Sequence, residues 1–170
     1  MTKQLLFFFS SVFFFTLVSA QVNPNAIGLR SGGGYNGSFG GEISYQKGFG
    51  SANRLEIDFG WTNRRDDFWK NKTWRYNQFA VSGIYHWVFN LTEGLNWFIG
   101  PGAQIGFFDD YYNENSGISL AIGGQIGIEY DFNKHGVPLL FGFDARPMLD
   151  FVGYYSGFGG GAAASLRYTF

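Results

Sequence analysis

The chain has 170 residues, with 12 Lys and Arg against 13 Asp and Glu, a formal net charge of −1, and no cysteine. That balance argues against a nucleic-acid binder, which would carry a basic excess, and the lack of cysteine excludes a disulfide framework and a thiolate metal site. Twenty-six glycines and 21% aromatic residues, without a helical period, point to many strands.

The N-terminal stretch MTKQLLFFFSSVFFFTLVSAQ has one basic residue, Lys3, ahead of an uncharged apolar run from Leu5 to Val18. Val18-Ser19-Ala20 then supplies small residues where a signal peptidase reads. This predicts a secretory signal peptide over 1–20, cut between Ala20 and Gln21, with residues 21–170 as one domain. The run is short for a membrane span of roughly 20 residues. No cysteine stands at the cut to carry a lipid anchor, and no long apolar run follows.

The remainder is read as eight strands. Strand 1 covers about 26–32, and Gly32-Gly33-Gly34-Tyr35-Asn36-Gly37 is read as a turn or loop. No helix follows these glycines, so they do not form a phosphate cradle. Strand 2, about 38–47, alternates Phe39, Gly41, Ile43 and Tyr45 with Gly40, Glu42, Ser44 and Gln46. In strand 3, Leu55, Ile57, Phe59 and Trp61 alternate with Arg54, Glu56, Asp58 and Gly60. A charged loop follows over 63–73.

Strand 4, about 74–89, sets Phe79, Val81, Gly83, Tyr85 and Trp87 against Gln78, Ala80, Ser82 and His86, with Ile84 as the exception. Strand 5 runs from Leu95 to about Phe107. It contains Pro101, which predicts a bulge or kink beside Gly100 and Gly102 because a proline gives up a ladder hydrogen bond. Residues 109–116 form a polar loop. Strand 6, about 117–131, alternates most regularly, and a turn over 133–136 leads to strand 7, about 137–146. Residues 147–158 are read as the last loop. Strand 8, from Gly159, keeps Ala162, Ala164, Leu166, Tyr168 and Phe170 on one face to the last residue of the sequence.

Long and short connections alternate, so the short turns share one end with both termini. This predicts an all-β, eight-stranded antiparallel up-and-down transmembrane barrel, with short turns and termini on the periplasmic side and longer loops outside. A soluble barrel has the same alternation with the opposite polarity. Here the less apolar face is rich in Gly, Ala, Ser and Gln, with charges of both signs, where a water-facing exterior would carry more Lys and Glu. Aromatics gather in two sets: Tyr45, Trp87, Trp97, Tyr130, Phe132, Tyr168 and Phe170 near one end, and Phe39, Trp61, Phe79 and Phe107 near the other. These are the expected interfacial girdles.

The lumen would then hold Arg30, Glu42, Arg54, Glu56, Asp58, His86, Glu129, Asp131, Asp144, Arg146 and Arg167, joined by Gln46, Gln78, Gln104 and Gln125. An eight-stranded barrel is filled by its own side chains. Buried charges must be paired, so a structural ion-pair plug is favoured over a gated polar path.

The alternating strands, the signal peptide and the closing Leu166-x-Tyr168-x-Phe170 resemble the small outer-membrane barrels of the OmpX and OmpA transmembrane-domain type, over all of residues 21–170. No peptidoglycan-binding domain follows strand 8, so the likeness is to OmpX. The resemblance implies that Leu166, Tyr168 and Phe170 are a signal for the barrel assembly machinery. It also implies a bacterial outer-membrane location and roles in envelope integrity, adhesion or interaction with lipopolysaccharide.

The expected function is therefore non-catalytic, with an envelope-structural or surface-interaction role for a monomer that needs no cofactor, in contact with outer-membrane lipid, lipopolysaccharide and an extracellular or envelope protein partner. A lipid A-modifying enzyme and a small polar-lumen channel are the alternatives. Ser82 and His86 share a face, but four residues along a strand separate them by about 13 Å, too far for nucleophile and base. Asp109, Asp110 and Glu114 do not have the spacing of an EF-hand calcium loop, and are read as a solvated acidic loop. Two candidate binding loops remain. The 3–4 loop combines Arg64, Arg65, Lys70 and Lys72 with Phe68, Trp69 and Trp74, which suits lipopolysaccharide phosphates. The 7–8 loop carries Phe151, Tyr154, Tyr155 and Phe158, an aromatic patch suited to a partner.

Overall fold

The computed structural model describes residues 22–35, 40–66, 74–110, 115–153 and 157–170. The segment read as a signal peptide, Trp69, Tyr154 and Tyr155 lie outside the described residues. Eight strands follow in order: β1 (Asn25–Tyr35), β2 (Gly41–Phe49), β3 (Asn53–Asp66), β4 (Trp74–Thr92), β5 (Leu95–Asp110), β6 (Asn115–Asp131), β7 (Leu139–Val152) and β8 (Gly157–Thr169). A single 3-10 turn, Phe132–His135, joins β6 to β7. Each strand pairs antiparallel with its sequence neighbours, and β1 pairs with β8 from Ala26↔Thr169 to Tyr35↔Gly160. The ring is thus a closed up-and-down barrel without edge strands, which allows backbone groups to be satisfied without water.

Side-chain polarity is inverted relative to a water-soluble barrel. In β2, Glu42, Ser44 and Gln46 are buried while Ile43 is 48% exposed; in β1, Arg30 is buried while Leu29 is 67% exposed. Period-2 alternation sends charge to the lumen and aliphatic and aromatic groups to the outside, the arrangement suited to a lipid surround. Ile84 obeys this alternation: it is 0% exposed, inside the lumen, where the missing side chain of Gly102 makes room for it (a Cβ there would lie 2.6 Å from Ile84 Cγ1).

Several strands extend further than expected, most of them toward the long-loop end, while β2 and β4 also run on at the short-turn end, to Phe49 and Thr92. Gly32, Gly33 and Gly34 belong to β1 and pair with Ala163, Ala162 and Gly161 of β8. A Cβ on Gly32 would fall 2.2 Å from the Ala162 carbonyl oxygen, so the close approach of the two strands requires glycine. Arg64 and Arg65 lie in β3, Asp109 and Asp110 end β5, and β6 begins at Asn115. Pro147 to Val152 continue β7, and Gly157 and Phe158 begin β8, so Phe151 and Phe158 sit on strands. Hairpin pairing continues past the height at which lipid demands an apolar outer face, so the alternation fades before the ladder does.

The expected bulge at Pro101 is absent. Pairing of β4 with β5 passes from Ile84↔Gly102 to Trp87↔Ile99 without a change of register, and the register shifts only between Asn90 and Thr92. Pro101 itself pairs with Gly124 on β6. The missing N–H is accommodated by an interruption of the ladder. At Gly100 the strands run so close that a Cβ would lie 1.6 Å from the Tyr85 carbonyl oxygen. At the short-turn end, Gly94 (φ 78°) and Gly136 (φ 75°) take left-handed conformations that a side chain disfavours.

Candidate functional site

The lumen is held by four guanidinium groups, from β1, β3, β7 and β8. Arg146 is the hub. Its Nη1 lies 3.3 Å from Glu42 Oε1 and donates to Ser82 Oγ at 3.0 Å, while its Nη2 reaches Glu56 Oε1 at 3.3 Å, Gln125 Oε1 at 3.2 Å and Asp58. Arg30 donates to Glu42 at 2.7 Å and grips Asp144 through Nε (3.0 Å) and Nη2 (2.5 Å). Arg167 donates to Glu56 Oε2 at 2.9 Å, Ser44 at 3.0 Å and Ser165 at 2.7 Å. Arg54 donates to Glu129 at 2.7 Å and, through Nε, to His86 Nδ1 at 3.2 Å. Since the guanidinium can only donate, His86 accepts at Nδ1.

Glu56, 0% exposed, takes part in several of these contacts and also accepts from Gln46 (2.6 Å) and Gln125 (3.2 Å). Such forked, charge-assisted bonds are the geometry that makes buried ions tolerable. They tie strands across the lumen as well as around the wall.

Sequence reasoning missed the apolar part of the lumen. Val88 and Phe98 are fully buried at the short-turn end, with Val22 packed against them. Phe98 lies against His86 and under Arg54, whose guanidinium carbon is 4.7 Å from the ring centroid. The segment Val22–Pro24 folds over this end: Val22 N–H donates to Ser51 O (3.1 Å), Gly48 N–H to Pro24 O (2.9 Å) and Asn23 Nδ2 to Asp131 Oδ2 (3.0 Å). Counting by twos from His86 to Val88 and from Asn96 to Phe98 would have placed both residues inside.

Outside, Trp61, Phe79 and Phe107 form one row across neighbouring strands, continued by Ile118. At the opposite end Phe89 stacks on Trp97 with centroids 4.6 Å apart, and Tyr168 stacks on Phe170 at 6.3 Å. Leu166 and Tyr168 face outward on β8, opposite Leu29 and Ile27 of β1, while Phe170, just past the strand, is also exposed and donates its N–H to Asn25 O at 3.0 Å. Phe39 of the expected outer girdle lies outside the described residues.

Arg64 and Arg65 occupy the long-loop end of β3, in register with Tyr76 and Arg75. Arg75 was not among the basic residues picked out from the sequence, yet register sets it directly opposite Arg65. Ser82 and His86 are both buried in the lumen and are engaged by different arginines, Arg146 and Arg54. Among the described residues no group of three His, Cys, Asp or Glu side chains could hold a metal ion.

No family model and no curated protein matches the sequence. Similarity emerges among solved structures. Neisserial surface protein A (NspA) superposes with a TM-score of 0.62 at 13% identity, over 86% of this chain and 97% of that one. Ail, the attachment invasion locus protein of Yersinia pestis, gives a TM-score of 0.51 at 14% identity, over 86% and 96%. Its structure in complex with the heparin analogue sucrose octasulfate gives 0.51 at 13% identity over the same shares. At these identities the likeness is one of architecture: the chain has the fold of the small eight-stranded outer-membrane barrels.

Proposed function

We propose that the chain is an integral outer-membrane barrel, freed of residues 1–20 on export, that acts at the cell surface as a non-catalytic interaction protein. The observation that carries this reading is the lumen. Four arginines and their carboxylate partners cross it, and Val22, Val88 and Phe98 close its short-turn end. A barrel filled in this way serves as a scaffold, which leaves the long-loop end to contact partners. On this reading Leu166, Tyr168 and Phe170 present the terminal strand to the assembly machinery, and the barrel works as a monomer in lipid.

The chemistry offered by the β3–β4 hairpin at the long-loop end is mainly basic and aromatic, beside the acidic Asp109 and Asp110 that end β5. Register sets Arg65 of β3 directly opposite Arg75 of β4, with Arg64 next in β3 and opposite Tyr76, and Lys70 and Lys72 lie between the two strands in sequence. Like charges directly opposite one another on a ladder are unfavourable by themselves, and an anionic ligand relieves them. That Ail was solved with a heparin analogue supports an anionic saccharide as ligand, carrying sulfate groups or the phosphates of lipopolysaccharide. The test is calorimetric titration of the purified barrel, and of a variant with Arg64, Arg65 and Arg75 changed to Gln, with sucrose octasulfate and separately with lipopolysaccharide. Saturable binding to either that is lost in the variant is expected, and the arm that binds identifies the source. Absence of binding in both arms, or unchanged binding by the variant, overturns the anionic-ligand assignment.

A further inference from the structure

Among the described residues, five buried side-chain atoms in the lumen have no hydrogen-bond partner: Arg54 Nη2, Asp58 Oδ1, His86 Nε2, Glu129 Oε2 and Arg146 Nε. Two of them, Arg54 Nη2 and Glu129 Oε2, belong to one ion pair, whose other atoms meet at 2.7 Å. Arg54 is 2% exposed and Glu129 4% exposed. Both line a small pocket at the short-turn end, together with Val22, Asn23, Gln46, Val88, Asn96, Asp131 and Leu140. The free space in it suits about one water-sized guest.

One orphan is a donor on a cation and the other an acceptor on an anion. A bare cation would meet the Arg54 N–H, and an anion would meet Glu129 and Asp131. A neutral molecule that accepts from one and donates to the other satisfies both, and buried charged groups are costly without such partners. We propose that this pocket is a hydration site. One internal water accepts from Arg54 Nη2 and donates to Glu129 Oε2, and Val22 is its lid. The Arg54–Glu129 pair is then a hydrated end of the lumen network, and the N-terminal segment separates that water from bulk solvent.

The test uses barrel purified from membranes in detergent, with a structure at a resolution that shows ordered solvent and with NMR transfer from water to the neighbouring side chains. One solvent molecule within hydrogen-bond distance of both atoms is expected, with water transfer to the Val22 methyl groups. Val22→Leu, which extends the lid into the pocket, should lose the solvent peak and the transfer. Glu129→Gln, which keeps an acceptor, should retain both. A dry pocket with Arg54 Nη2 and Glu129 Oε2 bonded to other protein atoms overturns the proposal. So does an ion in the pocket, or a solvent peak unmoved by Val22→Leu.

Discussion

Replacing Arg146 by Met separates a closed plug from a wet lumen. Arg146 meets Glu42, Glu56 and Asp58, donates to Ser82 and Gln125, and is itself buried. Met keeps much of the length and apolar stem but removes the charge, leaving Asp58 without its guanidinium. Glu42 keeps Arg30, and Glu56 keeps Arg167. Breaking one buried pair costs about 3–5 kcal/mol, because the surviving charge stays desolvated. The same pair in a water-filled passage would contribute about 0–1 kcal/mol.

Equilibrium denaturant unfolding of the refolded barrel in lipid vesicles, followed by tryptophan fluorescence, measures the difference. Arg146→Met should destabilise by about 3 kcal/mol or more. Adding Asp58→Asn should recover part of that loss, because the two sites are coupled through direct contact. A loss below about 1 kcal/mol, with no recovery in the double variant, would refute the packed lumen.

Gly100→Ala should destabilise by about 1–3 kcal/mol in the same assay, since its Cβ would meet the Tyr85 backbone at 1.6 Å; Gly83→Ala, where a Cβ would meet nothing within 4 Å, should stay within about 0.5 kcal/mol of wild type. Equal effects of the two would mean that β4 and β5 do not approach as described. Deleting Phe170 should lower the amount of assembled barrel recovered from outer membranes while leaving refolding in detergent intact, and equal recovery from cells would remove the assembly role.

The strand number and the polarity of the two faces were legible because every side chain at membrane height must suit either lipid or a charged lumen, and period 2 records that choice. Strand ends were not, for two physical reasons. Above the lipid the outer face is free of that demand, so Arg64, Arg65, Asp109 and Asp110 read as loop although their backbones remain paired. Glycine carries two meanings: Gly32 to Gly34 have the composition of a turn, yet all three pair with β8, and Gly32 lets β1 approach Ala162 and Ala163. Pro147 misled in the same way, because the β6–β7 ladder breaks between Gly123↔Met148 and Ile126↔Ala145 and so spares its missing N–H a partner.

Within the lumen, the charged residues announced themselves by type. Their connectivity did not, since which arginine spans to which carboxylate depends on stagger around the closed ring. Ile84, Val88 and Phe98 were obscured because an apolar residue on the inner face looks like a lapse in the pattern. They, with Leu140 and Met148 among others, make up an apolar fraction of the buried interior.

The surface role depends most directly on which end of the barrel faces outward. The sequence has no cysteine, so a single one can be introduced at Lys134 in the short turn between β6 and β7, or at Tyr155 in the 7–8 loop, and probed on intact cells with a membrane-impermeant maleimide. Labelling of Tyr155→Cys, with Lys134→Cys labelled only after the outer membrane is breached, is the predicted result. Labelling of Lys134→Cys on intact cells with Tyr155→Cys protected would contradict it and place the long-loop end inside the envelope.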